Sequence, residues 1–379
     1  MQVVTKKLKL PAGLPMGGYT PPRLSKNHSD ELEINSWIFT DEINGDNFEL
    51  CSIDALYAGD LTSIDKSVNL NRIFAASHTH YAPMLDSKKK KLGSCSKEAL
   101  QIYLDALKYS NRETVRPDTC RVYRSEVNVP VYRRFDFPNT IVNRFLSKSG
   151  GMYPNEKLVI DRGLYLFEFS LKNKTQFVIV YHACHPVSRK DPNLLSSDYV
   201  AQIRKAVRER FKIETCLFLL GCAGDIRPNF SKKRVSWLPR SRLNWRFDYG
   251  SRANELAVDS AYQKSVHCAK QVESIQIINN LIRVDKISLS LLAQGNIDIP
   301  RLTIGKRLSF EFIPFEVSHL FHMEAQQKNK MRFIVSCAND TIGYLPHPKQ
   351  ILAGGYEVDG SRKYMGLQER VELTNSCLW

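Results

Sequence analysis

Residues 72–83 read RIFAASHTHYAP, a short apolar run that breaks directly into a histidine pair. The run has the length and bulk of a buried strand. His78 and His80 are alternate residues, and alternate side chains of an extended chain point the same way. Four further stretches repeat this order: FVIVYHA runs into CHPVS (177–188), and CLFLL into GCAGDIRPN (216–229). LSFEFIP runs into FEVSH (308–319), and RFIVS into CANDTIGY (332–344). Ligands gather at the carboxyl ends of strands in α/β folds, so five chemically loaded loops at such ends imply one convergent site.

Between these strands lie windows of helical period with polar faces at 97–110, 197–211 and 251–272. The mixture predicts a layered α/β fold of mixed sheets with helices, with a metal site at the carboxyl ends of strands. The 379 residues are read as a single domain, 1–379. The segment 231–252, basic and aromatic without a clear period, is read as a surface loop or lid.

The formal net charge is +15, from 54 Lys and Arg against 39 Asp and Glu. Such a balance favours an anionic substrate or surface. The run Lys88 to Lys91 is read as a solvated loop. No GxxxxGK phosphate loop is present, and no nucleic-acid partner is expected. No apolar run approaches the roughly 20 residues of a membrane span. The N-terminus has no apolar segment of the secretory kind, so a cytoplasmic location is expected. Nine scattered cysteines without a CxxC pair agree with it, and those in apolar runs, such as Cys216 and Cys337, are read as buried thiols.

Taken singly, the polar residues leave alternatives open. His78 and His80 are metal ligands or surface histidines. His182 and His185 are ligands or satisfied core histidines. Glu316 is a buried strand-end acid or the first-turn acid of the helix that follows. Gly224 and Asp225 form a tight turn that is structural or contributes to the site.

Together the motifs resemble a known family. LPMGGYTPP (14–22), SIDALYAGDL (52–61), SHTHYAP, CHPVS with Ser196-Ser197-Asp198, GCAGDIRPN, IPFEVSH and ANDTIGYLPHPKQILAGGYE (338–357) are similar, in the same order, to motifs of the neutral (non-lysosomal) ceramidases. The resemblance covers residues from about 11 to 357. It implies a divergent bacterial-type member consisting of the catalytic domain only, without the family's secretory signal and C-terminal immunoglobulin-like domain. The family's enzymes are zinc amidases. Carried over residue by residue, the resemblance implies Zn2+ held by His78, His185, Glu316 and Tyr344. It also implies His80, Tyr344, Tyr356 and Arg133 as catalytic residues, although Tyr132 stands where the family has Asn before the arginine. Gly17, Gly18, Asp225 and Arg227 are expected to bind substrate, and Arg227 replaces a serine of the family. Its fixed charge, with the +15 balance, implies a polar, anionic N-acylated substrate such as an N-acyl amino sugar. The alternatives are a ceramidase or other lipid amidase, an esterase, and an inactive binding protein of the same fold. The oligomeric state is not legible.

Overall fold

The computed structural model describes residues 3–19, 21–64, 71–108, 114–134, 152, 154–233, 245–247, 251–277 and 281–375. The fold is α/β, with several mixed sheets and flanking helices. The five apolar runs form strands Asn71–Ala76, Lys174–His182, Cys216–Leu220, Leu308–Phe312 and Arg332–Val335. All five residues of Cys216–Leu220 are buried. Each such side chain contributes about 1.5–3 kcal/mol when fully removed from water.

Three sheets carry these strands. In the first, the order is Val3–Lys7, Glu33–Thr40, Asn47–Ile53, Asn71–Ala76, with only the last pair parallel. In the second, Cys216–Leu220 lies parallel to Lys174–His182, followed by Gly163–Leu171, Thr119–Glu126 and Lys270–Gln276 in antiparallel order. In the third, the long hairpin Ile282–Leu291 and Gly295–Ile304 continues into Leu308–Phe312, which runs parallel to Arg332–Val335. Trp37, Phe167, Phe177, Leu217, Phe310 and Phe333 join inner faces of all three sheets in one core. Helices Lys97–Ala106, Tyr199–Phe211 and Arg252–Cys268 pack against a second core, and His319–Lys328 against a third.

The strand ends are tied to one another, and this makes the loops converge. Ser77 N–H donates to Ile53 O (2.8 Å), Ala76 N–H to Cys337 O (3.2 Å), Ser336 N–H to Leu220 O (2.8 Å) and Gly221 N–H to His182 O (2.9 Å). Gly224 N–H donates to Val317 O (2.8 Å), and a Cβ at Gly224 would stand 2.7 Å from Glu316 O. Only glycine lets the two backbones approach this closely.

The lysine run is exposed at Lys88, Lys90 and Lys91, and its expected solvation is corrected at Lys89 alone. Lys89 is buried and paired with Asp86, and Lys90–Leu92 forms a turn of 3-10 helix. A buried carboxylate changes the solvation of one lysine, and local composition does not reveal it. The expected loop at 231–252 falls largely outside the described residues, at 234–244 and 248–250. Of its remainder, Ser231–Lys233 pairs antiparallel with Trp245–Phe247, and Arg252 opens a helix. The eight cysteines among the described residues are all free thiols, six of them buried. Among those residues no helix is long and apolar enough to cross a membrane.

Candidate metal centre

The histidine loop leaves its strand by a strained route. His78 has φ +63°, a region in which residues other than glycine are uncommon. Neighbours hold it there: its Nδ1 bonds Leu56 O at 3.0 Å, and the next side chain, Thr79, donates to Ser196 O at 2.7 Å. His78 and His80 therefore do not meet by simple alternation along an extended chain. Their ring centroids are nevertheless 5.0 Å apart, and His185 lies 4.8 Å from His78 and 5.8 Å from His80. Ligating nitrogens of the three imidazoles all fall within 4.8 Å of one another.

Each ring is fixed through Nδ1 to a backbone carbonyl: His78 to Leu56 O, His80 to Gly18 O (3.1 Å), and His185 to Ala223 O (2.6 Å) and Ile226 O (3.0 Å). A carbonyl partner puts the ring proton on Nδ1 and leaves Nε2 with a lone pair. Nε2 of His78 and of His80 are buried and make no hydrogen bond. Gly18 has φ +91°, and a Cβ there would meet His80 Nδ1 at 2.6 Å, so glycine is required beside this ring. Gly17 packs on Met84 and Leu56.

Glu316 enters from the short strand Phe315–Val317, and Ser318 caps the helix that follows, so the glutamate belongs to the strand. Its Oε2 lies 3.2 Å from His185 Nε2 and 3.3 Å from His78 Nε2, and its Oε1 accepts from Tyr57 at 2.6 Å. Strand Gly343–Leu345 runs parallel beside it, with Tyr344 in register with Glu316. Burial alone would raise the Glu316 carboxyl, but His78 and His185 hold it well below the usual carboxylate range. Burial and the Arg133 charge press His185 down to about 4, and burial with the neighbouring imidazoles presses His80 well below its usual value. Burial opposes the charge on His78, but Cys337 and Glu316 raise its pKa well above the usual value. A buried carboxylate among three imidazoles whose Nδ1 atoms are taken by backbone carbonyls is a donor set that fits a divalent metal. The carbonyls on the three Nδ1 atoms are the outer partners such ligands require.

Beyond the imidazoles stands a second group. Arg133 donates from Nη2 to Tyr344 Oη (3.3 Å) and from Nε to Glu357 (2.8 Å). Its guanidinium lies 5.7 Å from the ring centres of both Tyr344 and Tyr356. Arg134 donates to the other Glu357 oxygen (2.6 Å) and to Gly354 O (2.7 Å), fixing the loop that carries Tyr356.

Asp225 and Arg227 flank Ile226, whose carbonyl lies 3.0 Å from His185 Nδ1. The Asp225 carboxylate accepts from Ser318 Oγ (2.7 Å), His319 N (2.9 Å), His319 Nδ1 (3.0 Å) and Gln350 Nε2 (2.7 Å). Arg227 is buried in strand Ile226–Pro228, with Nη1 3.9 Å from Met152 Sδ. His182 is a satisfied core histidine: Nδ1 bonds Gly163 O (2.8 Å) and Nε2 bonds Tyr262 Oη (3.0 Å). Sequence reasoning does not single out Tyr57, Arg134, His319 and Glu357, and takes Lys89 only as one of a solvated run. Tyr57 and Glu357 lie inside the SIDALYAGDL and GGYE motifs, which was the signal available for them.

No protein-family profile matches the chain, and no curated protein matches it by sequence. Among solved structures, the fold is similar to neutral ceramidase from Pseudomonas aeruginosa, with TM-score 0.63 and 13% identity over 94% of this chain and 70% of that one. It is also similar to a ceramidase complexed with C2, with TM-score 0.62 and 14% identity over 94% of this chain and 71% of that one. At these identities the likeness is one of fold.

Proposed function

We propose that the chain is a zinc-dependent hydrolase that cleaves the amide bond of an N-acylated compound. The observation that carries this reading is the meeting of His78, His80 and His185 with Glu316, the Nε2 atoms of His78 and His80 without a hydrogen bond and that of His185 on Glu316 Oε2, in a fold similar to ceramidases.

In this reading His78, His185, Glu316 and Tyr344 hold the metal. Bound zinc supplies an activated water at neutral pH and a Lewis acid toward the amide carbonyl. His80 keeps its Nδ1 proton on Gly18 O, so Nε2 accepts a proton and later returns it to the leaving amine. Arg133, anchored by Glu357, orients the Tyr344 hydroxyl toward developing negative charge on the carbonyl oxygen. Tyr356, whose ring centre lies 5.6 Å from that of Tyr344, holds substrate with Arg133, and Gly18 packs on His80. Asp225 holds the loops together.

The +15 charge and Arg227 support a polar, anionic substrate such as an N-acyl amino sugar. The likeness to ceramidases supports a lipid amide as a second reading. The test is amine release from N-acetyl amino sugars, N-acyl sphingosine and matched esters, before and after chelation. Amide hydrolysis that is lost on chelation and restored by zinc is expected, and its preferred substrate decides between the two readings. Ester cleavage alone refutes the amidase. No turnover with full zinc occupancy points to a binding protein.

A further inference from the structure

We propose that Tyr57 is a positioning residue for the metal centre: its hydroxyl holds Oε1 of Glu316, so that Oε2 alone is presented to the imidazoles. The inference rests on the metal-site reading given under Proposed function.

The Tyr57 hydroxyl donates to Glu316 Oε1 at 2.6 Å, within the range of a hydrogen bond to a charged oxygen. The other oxygen, Oε2, is the one 3.2 Å and 3.3 Å from the histidine nitrogens. A carboxylate has two equivalent oxygens and can bind a metal through either or both. A donor fixed on one of them selects which oxygen is offered and keeps the contact to a single atom. Second partners of this kind orient ligands and raise metal affinity.

Tyr57 is itself held in place. Its ring is buried and lies 5.3 Å from the His78 ring, and Lys89 Nζ stands 5.1 Å above it. Lys89 is buried in turn against Asp86. The residue before it, Leu56, offers its carbonyl to His78 Nδ1 at 3.0 Å. Two successive residues of one loop therefore orient two different members of the site, Leu56 the imidazole of His78 and Tyr57 the carboxylate of Glu316.

The experiment measures zinc affinity by chelator competition in the wild type, Tyr57→Phe, Glu316→Gln and the double variant, with the thermal midpoint of each metal-free protein. Tyr57→Phe removes one oxygen and leaves the ring in its slot. It should weaken zinc binding about 10–100-fold and lower the metal-free midpoint by only a few degrees, as for the loss of one hydrogen bond. In the Glu316→Gln background the same change should add little, because the hydroxyl acts through that carboxylate. The cobalt(II) form of Tyr57→Phe should show an altered visible spectrum, since the carboxylate is free to turn. Wild-type zinc affinity in Tyr57→Phe overturns the inference alone. So does an undiminished effect in the Glu316→Gln background, or a metal-free protein that no longer folds, because a positioning role leaves the metal-free fold intact. A wild type that binds no zinc overturns the metal site and this inference together.

Discussion

Truncating Asp225 to alanine tests whether the loops are held together as described. The carboxylate receives four hydrogen bonds, from Ser318 Oγ, His319 N, His319 Nδ1 and Gln350 Nε2. Three of these donors are on the segment that carries Glu316 into its helix, and the fourth is on the segment beyond Tyr344. The group is buried, and its pKa stays below the usual carboxylate value: burial opposes the charge, but His319 and Ser318 outweigh it. Removing the acceptor strands up to four buried donors. Single hydrogen bonds to a charged group are worth about 1.5–3 kcal/mol, and the four are not additive because they share one acceptor and neighbouring elements. Breaking one partner of a buried charged network costs about 3–5 kcal/mol, which is the loss expected for Asp225→Ala. Asp225→Asn keeps the shape and one acceptor oxygen, and should lose about half as much. Urea unfolding at unchanged m reads both values. The turn 223–226 also supplies both carbonyls that orient His185, so the alanine variant should lose turnover along with stability. The asparagine variant should still hold one zinc. A loss under about 1 kcal/mol for Asp225→Ala would refute the role assigned to this carboxylate.

Other expectations follow from the same geometry. His78→Ala and His185→Ala should abolish zinc retention, whereas His182→Ala, whose ring nitrogens are taken by Gly163 O and Tyr262 Oη, should lower stability and keep the metal; elemental analysis distinguishes them. Gly18→Ala places a Cβ at φ +91° and 2.6 Å from His80 Nδ1. The backbone term alone is about 1–2 kcal/mol, and an imidazole displaced by nearly an ångström should reduce kcat by roughly 10–100-fold with zinc content unchanged. Asp30 is pushed up to about 6, chiefly by burial. Its folded form binds the proton more tightly than the unfolded chain, so stability is full below about pH 4 and about 3 kcal/mol is lost as pH rises to 6; Asp30→Asn should remove this slope in thermal unfolding. Glu33 behaves oppositely. Burial would raise its pKa, but Arg208 and Arg204 hold it down to about 2, so about 3 kcal/mol of stability present above pH 4.5 is lost as pH falls toward 2, and Glu33→Gln should flatten the acid limb.

The sequence was most informative where strands are uniformly apolar. Runs such as CLFLL and FVIVY have no competing reading as surface, and the polar residues just beyond them mark the loops that converge. It was least informative where burial depends on distant partners. The hairpin Glu33–Thr40 and Asn47–Ile53 carries Glu33, Asn35 and Glu49 into the interior, which hides its strand pattern. Glu33 and the adjoining Asp54 are matched by Arg208 and Arg204 on a helix about 150 residues later in the chain, and Glu49 by Arg72. Lys89 is another case, since Asp86 and Tyr57 close over it. Glu316 had two readings until the short parallel pair with Gly343–Leu345 placed it in a strand. His78 and His80 meet because one of them adopts a left-handed backbone, a feature that no periodicity encodes.

Diffraction from zinc-loaded crystals on either side of the zinc absorption edge locates the metal. One anomalous peak is expected about 2.0–2.2 Å from His78 Nε2, His185 Nε2 and Glu316 Oε2, with Tyr344 Oη completing the set and His80 Nε2 beside it. A peak elsewhere in the molecule, or none between these side chains at full zinc loading, would contradict the proposed site.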